Sequence, residues 1–182
     1  LSCAYALLAS VPATARDYPA QAIGGWTVAA SKDGKGCFAT RNYARRGDTT
    51  LLFGLDLDGA NRLTVLNTNW SIKPGDRLKL DFKLARASYP DHFAIGIAAD
   101  GKQGFVSSFD AKFAASFAGS DQLTIARGQT PVERLDLDGS GAALAELRRC
   151  LATVSGPASN SAGSDDIPAD PFAPKPGSGK KK

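Results

Sequence analysis

The chain has 182 residues, 43% hydrophobic and 22% charged, with 22 Lys and Arg, 18 Asp and Glu, one His, three Cys and no Met. A net charge of +4 among alternating signs argues against a nucleic-acid-binding surface, and a lone histidine excludes a histidine cluster sharing a metal. The length suits one domain with an adequate core.

Leu1 to Ala15 is an almost uncharged apolar run ending in Ala13-Thr14-Ala15, the small-x-small pattern that signal peptidase accepts. Cleavage there leaves Arg16 as the mature N-terminus. The basic n-region and an initiating Met are missing, so the chain is expected to lack its first few residues. The run is too short to cross a membrane. Two alternatives are a buried core helix and a lipoprotein signal acylated at Cys3, although the apolar stretch continues beyond Cys3.

Residues 16–154 read as a β-rich globular domain of short strands and tight turns. Trp26 to Ala30 and Cys37 to Tyr43 flank Lys32-Asp33-Gly34-Lys35-Gly36, where Asp-Gly supplies the positive φ angles of a hairpin turn. Thr49 to Asp56 and Arg62 to Asn69 form a second pair around Asp58-Gly59. After the turn at Pro74-Gly75-Asp76, Arg77, Lys79, Asp81 and Lys83 alternate with Leu78, Leu80, Phe82 and Leu84, the period of two of a strand with one wet face. His92 to Ala99 and Gly104 to Ser108 flank Asp100-Gly101 as a third hairpin.

Phe109, Phe113 and Phe117 then recur every four residues in an alanine-rich stretch and share one face of a short helix. Strands follow at Leu123 to Ala126 and Val132 to Leu137. Ser140 to about Thr153 is a closing helix with Ser140 as N-cap, and Ala143, Leu144, Leu147, Cys150 and Leu151 lie on its inward side. The expected fold is mainly β: a small antiparallel β-sandwich or barrel with a short internal helix, a C-terminal helix and one disulfide. Residues 155–182 turn to Pro, Gly, Ser, Ala and Asp and end in three Lys, the composition of a disordered tail. That tail holds four Lys and three Asp, a balance of +1, leaving +3 on the domain.

Export reframes the cysteines, because an oxidising compartment turns a thiol pair into a structural bridge. With Cys3 removed, Cys37 and Cys150 allow one connectivity, and the absence of C-x-x-C argues against a redox pair or metal site.

A tryptophan on the first strand, a cysteine on the hairpin return, and the closing run from Leu137 through Gly139, Ala143, Leu144 and Leu147 to Cys150 resemble the invasion-associated locus B family of exported proteobacterial β-proteins. The resemblance covers about residues 24–152 and rests on structural motifs. It implies a periplasmic or surface protein of the envelope with no known catalytic residues.

Candidate chemistry is sparse. His92 follows Asp91 in a polar loop, with Ser107, Ser108, Ser116 and Ser120 as nominal triad partners, none of them in a G-x-S-x-G elbow. Leu-Asp-Leu-Asp-Gly occurs at 55–59 and 135–139, but Gly54, Val65, Arg134 and Ala145 stand where an EF-hand loop needs acids; strand ends with leucines inward and aspartates outward fit better. Arg41, Tyr43, Arg45 and Arg46 form a candidate binding surface for an anionic glycan, a lipid head group or an acidic envelope protein, or else one face of a charged strand and its loop. Arg46-Gly47-Asp48 is too short to signify adhesion. Trp70 is either a core aromatic or a stacking platform.

The expected function is that of a periplasmic or extracellular, non-enzymatic binding or assembly-modulating envelope protein, without cofactor, metal, nucleic-acid partner or transmembrane segment in the mature chain. A small secreted hydrolase using His92 and Asp91, and a host-interaction surface protein, are the alternatives.

Overall fold

The computed structural model describes residues 18–156, so the expected signal peptide at 1–15 and all but two residues of the 155–182 tail lie outside it. Alternation of apolar and polar residues builds ten strands: β1 Gln21–Ile23, β2 Trp26–Ala30, β3 Gly36–Tyr43, β4 Thr49–Asp56, β5 Asn61–Asn67, β6 Arg77–Lys83, β7 Ser88–Ala99, β8 Lys102–Phe109, β9 Gln122–Arg127 and β10 Thr130–Asp136. They form one antiparallel sheet in the order β1-β2-β3-β4-β5-β8-β7-β6-β9-β10. All three hairpins expected from the Asp-Gly turns form: β2 with β3, β4 with β5, and β7 with β8.

The sheet folds back on itself like a sandwich, because its inward side chains must leave water together. Phe53, Leu63, Phe82, Phe105, Ile125 and Leu135 are all fully buried, each burial contributing about 1.5–3 kcal/mol. Side chains of β3, third in the sheet order, reach β10 at the far edge. α1 (Ala111–Ala118) and α2 (Ser140–Val154) pack on one another, α1 against β5 and α2 against β1 to β4.

The phenylalanine spacing has a structural consequence that differs in one member from the expected helix face. Phe109 ends β8, while Phe113 and Phe117 lie on α1, whose cap is Asp110 accepting from the Lys112 and Phe113 amides. The rings still form a continuous column: Phe109 stacks on Phe113 at 3.8 Å and Phe117 on Phe53 at 4.7 Å. Stacking in this way adds about 0.5–1.5 kcal/mol per pair beyond area burial.

Four details depart from the sequence reading. β1 is an additional edge strand, too short and too mixed for a period of two to reveal. Ser140 is the first helical residue and not the cap; Gly139, at φ 79°, holds the cap position, and Ser140 donates to the Phe117 carbonyl. Leu57 is half-exposed at the β4–β5 turn instead of inward. β7 begins at Ser88, which puts His92 within a strand opposite Leu80 and not in a loop.

Cys37 and Cys150 are fully buried and joined, with Cα atoms 6.1 Å apart and a sequence separation of 113. The bond ties the closing helix to β3. In the chain-entropy account a loop of that length contributes about 4–5 kcal/mol. Replacing both cysteines by Ala is therefore expected to lower unfolding free energy by about 3–5 kcal/mol in urea titrations of the oxidised protein. Non-reducing peptide mapping of the parent protein should recover a Cys37–Cys150 peptide pair.

Candidate functional site

Alternation along β3 places Arg41 and Tyr43 on the face that also carries Cys37 and Ala39. That face looks toward the edge of β10. Arg41 Nη1 donates to the Asp138 carbonyl at 2.8 Å, Tyr43 Oη to the Asp136 carbonyl at 2.5 Å, and Arg45 Nη1 to the Arg134 carbonyl at 2.7 Å. Three side chains spaced two residues apart thus meet three carbonyls spaced two apart, running in opposite directions. Trp26 Nε1 adds a second bond to Asp138 O at 2.9 Å.

The charges in this seam are paired. Arg41 lies 3.6 Å from Asp136 and Arg45 3.3 Å from Glu133. Both guanidinium groups also lie over the Tyr43 ring, at 5.3 and 5.4 Å from its centroid. Thr49 donates to Glu133 at 2.7 Å and accepts from the Asn67 amide at 2.9 Å, extending the seam to β4 and β5. Of the four candidate binding residues, the structure brings Arg41, Tyr43 and Arg45 together and leaves Arg46 outside on an exposed turn.

His92 is held by aromatic rings. It stacks on Phe109 at 4.2 Å and meets Phe82 and Tyr89 edgewise. Its Nε2 lies 2.9 Å from the Ser108 carbonyl oxygen. A carbonyl only accepts, so Nε2 carries the proton. Asp91, at φ 50°, sits at an irregularity in the β6–β7 pairing, where its amide donates to Asp81. The Ser107 and Ser120 hydroxyls donate to the Phe93 and Ser116 carbonyls. Three aspartates of the Leu-Asp-Leu-Asp-Gly copies are spent locally: Asp56 pairs with Arg62 at 2.6 Å, Asp58 accepts from the Ala60 amide and Asp136 from the Asp138 amide. No group of three or more His, Cys, Asp or Glu capable of holding a metal occurs among the described residues.

A surface not anticipated from sequence lies on the outer face of the sheet's centre. Phe93 is 50% exposed and Ile95 42% exposed on β7. Ile95 stands opposite Val106, which is opposite Thr64, itself opposite Leu52. Beside this row is a concavity of about 630 Å³ whose apolar lining includes Phe38, Leu52, Leu66 and Ile97. The available signal was size: in Phe93-Ala-Ile-Gly-Ile97 the large residues face out and the small ones, Ala94 and Gly96, face in. Gly96 has no room for a side chain, since a Cβ there would lie 2.1 Å from the Lys73 carbonyl oxygen. Trp70, near the opposite face of the same strands, is half-buried and stacks on Phe105 at 5.8 Å with the planes 9° apart.

Among solved structures, the chain is similar to invasion associated protein B from Bartonella henselae, with a TM-score of 0.54 and 16% identity over 72% of this chain and 97% of that one. Likeness at this identity shows a shared fold. No protein-family model and no curated protein sequence matches the chain.

Burial pushes the Tyr43 phenol up to about 12, with Asp136 also raising it and Arg41 opposing. The folded state therefore holds this proton more tightly than the unfolded chain does. Its contribution to stability is complete below pH 10, the ordinary tyrosine value, and is lost as pH rises through about 12. Tyr43→Phe should cost about 1 kcal/mol at neutral pH through the lost hydrogen bond and reduce the alkaline fall in the urea midpoint. The part due to Tyr18, also pushed up to about 12 by burial and its bond to Glu146, should remain.

Proposed function

We propose that this protein is an exported envelope protein, periplasmic or extracellular, that acts by binding a partner protein on the outer face of β7, β8 and β4. The carrying observation is the pair Phe93 and Ile95, large apolar side chains left exposed on a strand internal to the sheet. Each would recover about 1 kcal/mol on being covered, half of a full burial. Exposed apolar patches of this kind are characteristic of interaction sites.

The surroundings favour a protein over a lipid head group or an anionic glycan. Arg77 stands opposite Ile95 and Lys79 opposite Phe93. Asp81 follows on the same strand, and the Arg62–Asp56 pair borders the other side. A rim of both signs suits the mixed charges of a protein surface, whereas a head group or acidic glycan would select one sign. Export is supported by the buried Cys37–Cys150 bridge and by the expected signal peptide. No helix among the described residues is long and apolar enough to cross a membrane. Membership of the invasion-associated locus B family belongs to this proposal, and the fold shared with the Bartonella protein supports it.

A photoactivatable phenylalanine analogue at position 93 or 95 is expected to give one discrete adduct with an envelope protein in cells, identifiable by mass spectrometry. The same analogue at Leu57, half-exposed elsewhere, should give none. Identical adducts at all three positions, or none at 93 and 95, would reject the reading.

A further inference from the structure

The folded sheet has two ends, and they are finished differently. Helices cover one. At the other, the loop between β5 and β6 crosses the opening and leaves a cleft of about 300 Å³ lined by Trp70, Leu80, Phe105, Arg127, Asn69 and Ser71 among others. Its floor is core: Phe105 and Leu80 are fully buried.

The loop that carries Trp70 is fixed. The Asn69 amide donates to Asn67 Oδ1 at 2.8 Å and the Lys73 amide to Asp76 Oδ2 at 2.9 Å. The Gly75 amide donates to the Gly96 carbonyl at 2.9 Å, and the Gly96 amide returns to the Asp76 carbonyl at 2.8 Å. With its amide nitrogen toward the loop, Gln103 donates to the Trp70 and Ile72 carbonyls at 2.8 and 2.9 Å. Trp70 is thereby a preorganised wall, which lowers the ordering cost of binding.

Four polar side chains of the lining are unspent, the Asn69 side-chain amide and the Ser71 hydroxyl among them. Among the described residues, the Trp70 indole N–H makes no hydrogen bond, in contrast to Trp26, and the Arg127 guanidinium makes neither a hydrogen bond nor an ion pair. Arg127 is the single charged side chain in the lining. An apolar floor, an aromatic wall, one cation and neutral donors on Trp70, Asn69 and Ser71 together suit a ligand with a flat apolar body and one negative charge.

We infer that this cleft binds a small aryl monocarboxylate, its ring against Trp70 and Phe105 and its carboxylate on Arg127 and the indole N–H. The site lies apart from the outer face proposed for the partner protein and shares no residue with it, so either can fail alone.

The test follows the indole N–H resonances of the protein's two tryptophans during titration with 2-naphthoate, with 2-naphthamide as the uncharged analogue of equal shape. The Trp70 resonance, assigned by its loss in Trp70→Phe, is expected to shift with a dissociation constant of about 1 mM or tighter, while that of Trp26 stays in place. The amide should bind about threefold to tenfold more weakly. Arg127→Gln, an exposed substitution that leaves the core intact, should bring naphthoate down to the amide's affinity. No shift of the Trp70 signal up to about 10 mM, equal affinity for acid and amide, or full naphthoate affinity in Arg127→Gln would each overturn the site.

Discussion

An edge strand with open carbonyls invites pairing with another chain, and the structure depends on how β10 avoids this. Its carbonyls at Arg134, Asp136 and the following Asp138 are taken by Arg45, Tyr43 and Arg41. Two side chains of β3 and that of Arg45 just beyond it therefore do what a neighbouring backbone does in a ladder. Because the donors reach across from a strand near the opposite edge, the same three bonds protect β10 and hold the folded sheet closed.

Closure makes the rest of the architecture possible. Once the two halves face each other, the inward residues share one core, and α1 and α2 have an end to cover. The aromatic column from His92 through Phe109, Phe113 and Phe117 to Phe53 runs from β7 through α1 to β4. It links both halves to a helix. The Cys37–Cys150 bond then fixes α2 to β3, the strand that also carries the seam. Covalent and polar restraints thus converge on β3, and both derive from its alternation: Cys37, Ala39, Arg41 and Tyr43 share a face, so a single register sets all of them.

What could be read from the sequence was what depends on local pattern. Asp-Gly turns gave the hairpins, the alternation from Arg77 to Leu84 gave β6, and helical spacing around Cys150 gave α2 with its inward cysteine. Strand order was not legible, because β5 pairs with β8 across more than thirty residues that carry no local signal of it. His92 was displaced from loop to strand by the irregular pairing at Asp91, where a proline and an aspartate conceal a continuing strand. Gly139 took the cap from Ser140 since the chain must turn at φ 79° against Gly24, whose carbonyl oxygen would lie 2.1 Å from any Cβ at 139. Such close approaches exist only in the folded chain.

The arginine cluster and the β7 face show why polarity alone misplaces a site. Arg41, Tyr43 and Arg45 have the residue types of a recognition surface, yet their donors and charges are engaged by β10 within the same chain. Phe93 and Ile95 have the residue types of a core, yet the space inside them is filled by the 73–76 loop pressing on Gly96. Ala94 and Gly96 face inward because little volume remains there, and the large neighbours are left outside. The seam's polar groups complete the fold and the β7 apolar ones are left over, so the binding proposed for this domain is sought among the side chains that its own closure leaves unsatisfied.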